Sequence, residues 1–129
     1  MQRVMLKSKI HRATATACDL HYVGSIKIDE LLLEAADLYV GELVHVLNIN
    51  TGARFETYTI LGDRGSGDMQ LNGAAARLVH TGDLLIIAAY GTYDETELAT
   101  YEPRVVHVDL GNRIVAHGSD PARLVSVSE

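Results

Sequence analysis

The sequence holds one cysteine, no tryptophan, one phenylalanine and two prolines. Cys18 on its own cannot close an intrachain disulfide, which excludes the small secreted frameworks stapled by paired cysteines and fits a reducing compartment. Long apolar runs are missing as well. The longest, Leu84 to Tyr90, falls far short of the about 20 residues a membrane-spanning helix needs. Lys and Arg form no cluster and the formal net charge is −6, which argues against attraction to nucleic acid or to an anionic membrane surface. The N-terminal stretch has no charged start followed by an apolar run and a small-residue cleavage site. The expectation is a soluble cytoplasmic protein with neither nucleic-acid nor membrane partners.

What is present describes one ordinary domain. At 129 residues, 47% hydrophobic and 22% charged, the chain is long enough to bury a real core. Strand signals come in short bursts: residues 2–17, 43–49, 54–61, 68–71, 84–90 and 104–110. The turn residues between them include Asn50-Thr51-Gly52 and Gly65-Ser66-Gly67. In the first burst Lys9 and His11 share a face. Helical signals are few. Asp29 is placed to cap a helix through Ala36, Asn72 to cap a second that ends near Gly82, and a short turn is expected at 94–99. Many short strands with few helices predict a mainly β fold, a small barrel with short helical insertions. The barrel domain is expected over 1–115, with residues 116–129 a polar, flexible tail.

Chemistry is harder to read. The six histidines show no pair at metal-ligand spacing, so no metal site is expected. Cys18 reads as a small packed side chain rather than a nucleophile. A Gly-Ser bond becomes reactive only when the backbone holds the hydroxyl against the preceding carbonyl, which glycine permits because it has no Cβ. The amide can then become an ester, the ester can eliminate to dehydroalanine, and hydrolysis of that leaves a pyruvoyl group and ammonia. The dipeptide occurs three times, at Gly24-Ser25, Gly65-Ser66 and Gly118-Ser119, so it carries little information by itself.

Context separates the first. Met5-Leu6-Lys7-Ser8-Lys9-Ile10-His11-Arg12 is followed by Ala17-Cys18-Asp19-Leu20-His21-Tyr22-Val23-Gly24-Ser25. Asn50-Thr51-Gly52-Ala53-Arg54-Phe55-Glu56-Thr57-Tyr58, Arg64-Gly65-Ser66 and Leu71-Asn72-Gly73-Ala74-Ala75-Ala76 come after, then Gly82-Asp83 and Ile86-Ile87-Ala88. In this order and spacing the chain resembles the pyruvoyl-dependent aspartate 1-decarboxylases, the bacterial enzymes that make β-alanine for pantothenate. The resemblance covers roughly residues 1–110 and implies a double-psi β-barrel and a homotetramer with active sites between subunits. It further implies self-cleavage between Gly24 and Ser25, giving fragments 1–24 and 25–129. Ser25 would become a pyruvoyl cofactor that forms a Schiff base with L-aspartate and takes up the electrons left by departing CO₂.

Carried over position by position, Thr57 contacts the Gly24 carbonyl during cleavage and the substrate afterwards, a donor placed for a developing oxyanion. Tyr58 matches the proton donor that quenches the carbanion. Arg54 offers a carboxylate two parallel donors. Lys9 and His11 would add positive potential around a dianionic substrate. Asn72, Gly73, Ala74 and Ala75 match a substrate-contacting helix start whose small side chains leave backbone amides accessible. Tyr22 would line the pocket and help position the Gly24–Ser25 bond. In a regular strand Thr57 and Tyr58 face opposite ways, so a bulge or two edges of a subunit junction would be needed to bring both to one site. Other readings are the same chemistry on another small amino acid, or a catalytically silent β-barrel binding module in which Gly24-Ser25 is an ordinary turn.

Overall fold

A computed structural model of the chain describes residues 1–123. Its order is β1 (Arg3–Thr14), β2 (Ala17–Asp19), β3 (Ser25–Asp29), α1 (Glu30–Ala35), β4 (Leu43–Asn48), β5 (Arg54–Gly62) and β6 (Met69–Asn72). A 3-10 helix (Gly73–Arg77), β7 (Leu84–Tyr93), α2 (Glu95–Leu98), β8 (Arg104–Val108) and β9 (Ile114–Gly118) follow. Alternation decides which side chains go inward. Val44 and Val46 of β4, Leu85 and Ile87 of β7, Ile26 and Ile28 of β3, and Met69 and Leu71 of β6 are all buried in one core. Each such side chain contributes about 1.5–3 kcal/mol when taken fully from water.

The strand pairing closes the sheet. β1 and β2 form one bent stretch, its first half antiparallel to β7 and its second half parallel to β6. From β6 the ladder runs to β3, β5, β4 and β7, and so back to β1. The two halves of the chain interlock. The long strand β1–β2 lies parallel to β6 and antiparallel to β7, while the long strand β5 lies parallel to β3 and antiparallel to β4. Each half therefore threads its long strand between two strands of the other, which is the double-psi arrangement. The bend in β1 is taken up at two register shifts, between Leu6 and Ser8 and between His11 and Ala13. Outside the barrel, β8 adds parallel to β1 and carries β9 antiparallel.

Asp29, 3% exposed, caps α1 through the Leu31 amide and also accepts from the amides of Gly65 and Gly67. The Gly65-Ser66 pair is thus a turn, closed by the Ser66 hydroxyl on the Asp63 carbonyl, and Gly118 simply ends β9.

Two local expectations change. The segment after Asn72 is a five-residue 3-10 helix with no side-chain cap from Asn72, because that amide is engaged across the sheet instead. Order also extends past Ala116: β9 runs through Gly118 because the edge of β8 supplies a ladder for it. The last six positions of the expected tail, 124–129, lie outside the described residues.

Candidate active site

Ser25 opens β3, and its backbone partner across the ladder is Asn72 of β6. Both are buried, at 1% and 0% exposure, so their polar atoms must find partners within the protein. They do so in a short relay. Gln70 Nε2 donates to Asn72 Oδ1 at 2.8 Å, Asn72 Nδ2 donates to Ser25 Oγ at 3.1 Å, and Ser25 Oγ donates to the Val23 carbonyl at 2.9 Å. The hydroxyl is held from two sides at the entry to the strand.

Gly24 sits at the bend before it, with open space where a Cβ would stand. The first residue of the 3-10 helix presses against its backbone. Gly73 has φ +68°, and a Cβ there would lie 2.6 Å from Gly24 Cα, 2.8 Å from Gly24 N and 3.2 Å from the Tyr22 carbonyl oxygen. Only glycine allows this approach. Tyr22 contributes that backbone edge while its ring is exposed.

In front of Gly24 lies a cavity of about 380 Å³ lined by Gly24, Phe55, Glu56, Thr57, Tyr58, Ala74, Ala75 and Leu78. Two cavities of similar size, about 370 and 360 Å³, border α1 and the 63–67 turn. Volume does not distinguish the three; the side chains do, since only the first joins Gly24, Thr57 and Tyr58. β5 pairs with β4 in unbroken register from Arg54 to Tyr58, so no bulge relieves the alternation of Thr57 and Tyr58. Both still border the cavity, which opens at the lip of the sheet. Among the described residues the Thr57 and Tyr58 hydroxyls and the Arg54 guanidinium have no side-chain hydrogen-bond partner, so each is available to a ligand.

Arg54, Lys9 and His11 occupy the outer face of the barrel. Cross-strand partners share a face, and one row runs Arg54–Leu47–Ile86–His11–His107 while the next runs Glu56–His45–Ala88–Lys9. Three strand spacings separate β5 from β1, about 14 Å at ~4.8 Å each. Lys9 and His11 therefore do not reach the cavity of their own chain. Lys9 donates to the Pro121 carbonyl at 3.2 Å, and the His11 ring stands edge-on to His107 at 5.5 Å. Burial lowers the Lys9 pKa. Burial, then the charges of Lys9, His107 and Arg12, lowers that of His11 from 6.5 to about 4. In the single chain the His11 ring is therefore uncharged near neutral pH.

Cys18 donates to the Val79 carbonyl at 3.3 Å and burial raises its pKa, as suits a packed thiol. Gln70 is the residue that sequence reasoning missed. It lies two positions before Asn72 on one strand, a spacing with meaning only once Asn72 is known to oppose Ser25.

Residues 1–115 match the protein-family model described as aspartate decarboxylase. Among solved structures, the rationally designed mkDPBB_sym_86 protein is similar at 16% identity, covering 60% of this chain and 90% of that one with a TM-score of 0.46. The computationally designed msDPBB_sym2 protein is similar at 19% identity, covering 67% and 96%, with a TM-score of 0.42.

Proposed function

The chain belongs to the aspartate decarboxylase family, and we propose that it matures by cutting itself between Gly24 and Ser25 and then converts L-aspartate to β-alanine and CO₂ for pantothenate synthesis in the cytoplasm. The observation that supports this reading is the meeting of Gly24, Thr57, Tyr58, Ala74 and Ala75 around one cavity, with the Ser25 hydroxyl pinned behind it. The pyruvoyl group made from Ser25 supplies a carbonyl that captures a primary amine and draws off the electrons released when a neighbouring carboxylate departs. Its surroundings leave room for it: nothing lies within 4 Å of the Cβ position on Gly24, the residue just before it, and the Gly73 backbone packs against Gly24 Cα and N.

The side chains divide the remaining work. Thr57 donates its hydroxyl to the Gly24 carbonyl oxygen as that oxygen gains charge, and later to a substrate carboxylate. Tyr58 delivers its phenolic proton to carbon after CO₂ leaves. Ala74 and Ala75 keep the wall small enough for a carboxylate to approach the backbone. Arg54 binds a carboxylate with its fork.

Lys9 acts from a second copy. It lies on an outer face that also exposes Leu43, Tyr58 and Tyr90, apolar surface that a homotetramer would cover. His11 accompanies it as a neutral ring, a hydrogen-bonding group rather than a charge.

Intact-mass measurement on the purified chain tests the reading. Two fragments are expected, 1–24 and 25–129, the larger lighter by one ammonia than a chain starting with serine. Ser25→Ala should stay whole and release no CO₂ from aspartate. Decarboxylation by that variant would overturn the assignment.

A further inference from the structure

We infer that Gln70 is a positioning residue for the self-cleavage, setting through Asn72 which atom faces the Ser25 hydroxyl; the inference rests on the role of Ser25 proposed above. A carboxamide presents an acceptor on one side and a donor on the other, in nearly the same shape, so its neighbours decide which way it turns. Gln70 and Asn72 lie two residues apart on β6 and so share a face. Gln70 Nε2 donates to Asn72 Oδ1 at 2.8 Å, which leaves Nδ2 as the atom facing Ser25 Oγ, 3.1 Å away. Asn72 is wholly buried, so water does not compete for the choice. With a donor on Oγ, the serine's own proton points to the Val23 carbonyl at 2.9 Å. Remove the Gln70 donor and the amide is free to rotate by half a turn. Oδ1 would then accept the Ser25 proton, and Oγ would face no donor.

The second of the two cleavage steps needs the first orientation. In the first step Oγ adds to the Gly24 carbonyl carbon, its proton passes to the Ser25 nitrogen, and the C–N bond breaks to leave an ester and a free amine. In the second, Ser25 Cα gives up its proton to a water that enters by the cavity in front of Gly24, and the Cβ–Oγ bond breaks. The electrons of that bond leave with Oγ in the Gly24 carboxylate. A donor resting on Oγ stabilises the charge this oxygen gains, and an acceptor in the same place opposes it. Gln70 makes no contact of its own with the reacting atoms. It acts on them through Asn72.

The test is a time course of intact mass on the full-length chain, with thermal unfolding of each variant measured alongside. Gln70→Glu keeps the shape but, as a carboxylate, turns an acceptor toward Asn72. Gln70→Met keeps the length and removes the hydrogen bond. Both should cleave about tenfold more slowly than wild type at pH 7. For Gln70→Glu the ratio to the wild-type rate should climb as the pH falls toward the ordinary glutamate pKa of ~4.3, because the protonated acid can again donate to Asn72 Oδ1. For Gln70→Met that ratio should stay level, a contrast that general loss of stability does not produce. Cleavage of both variants at or above the wild-type rate overturns the inference while leaving self-cleavage intact. So does a Gln70→Glu ratio that ignores pH. A wild-type chain that remains whole overturns the reading beneath it instead.

Discussion

Gly73→Ala probes the contact nearest the scissile pair. Gly73 holds φ +68°, and an added Cβ would lie 2.6 Å from Gly24 Cα and 2.8 Å from Gly24 N. Non-bonded carbons rest at about 3.5–4.0 Å, so the two backbones would have to part by roughly 1 Å. The left-handed conformation costs an alanine about 1–2 kcal/mol, and with the displaced packing the total comes to about 2–3 kcal/mol. For a chain of this size that is a fall in melting temperature of roughly 6–12 °C. The same displacement moves Gly24 away from the hydroxyl that must attack it, and a shift of ~1 Å at a reacting centre can cost about 100-fold in rate. Gly82→Ala is the internal control: φ is +95° there, but the added Cβ meets nothing within 4 Å. It should lower the melting temperature through backbone strain alone and leave cleavage at the wild-type rate. Calorimetry and intact mass on both variants read the two effects separately. A Gly73→Ala chain that cuts as fast as Gly82→Ala would refute the claim that this contact positions Gly24.

Two further predictions concern stability. Asp29→Ala strands the amides of Leu31, Gly65 and Gly67, which its carboxylate holds at 2.8–2.9 Å in a site 3% exposed. Urea unfolding should show a loss of about 3–5 kcal/mol, and an unchanged midpoint would contradict the role given to it. The second concerns pH. In the folded chain His11 titrates at about 4 against 6.5 when free, chiefly through burial and then through Lys9, His107 and Arg12. Burial lowers His107 as well. Between those values the unfolded chain binds more protons than the folded one, so the stability due to the His11 ring is complete above about 6.5 and drains away as the pH falls toward 4. Urea midpoints at pH 7.5 and pH 5 should converge in His11→Gln relative to wild type. The same pH dependence in both would remove His11 as its source.

Much of the barrel was legible because it depends on alternation, which is local. Val44 and Val46 are buried while His45 between them is not, and Leu85 and Ile87 repeat the pattern in β7. The misreadings share one cause, a partner distant in the chain. Asn72 followed by Gly73-Ala74-Ala75 has the local chemistry of a capped helix, yet its amide belongs to Ser25, 47 residues earlier. Ala116 to Gly118 look polar enough to be a tail, yet β8 pairs with them. Lys9 and His11 do share a face, but the charge on His11 is set by burial beside His107, which chain distance hides.

The alternation of Thr57 and Tyr58 shows how such a local rule becomes a statement about assembly. With β5 in unbroken register, Thr57 faces the barrel side together with Phe55 and Thr59, and Tyr58 faces outward with Arg54 and Glu56. A cavity at the lip of the sheet is the place where two such residues can border one space. Glu56 and Tyr58 make the outward wall of that cavity, and with Gly24 and Ala74 also exposed the space lies open to solvent. Decarboxylation through a carbanion needs water kept from that wall, because a wet site solvates and quenches charge indiscriminately. The single chain supplies the nucleophile's surroundings, and in the proposed tetramer the outer face of another copy, carrying Lys9, is the surface that would close them.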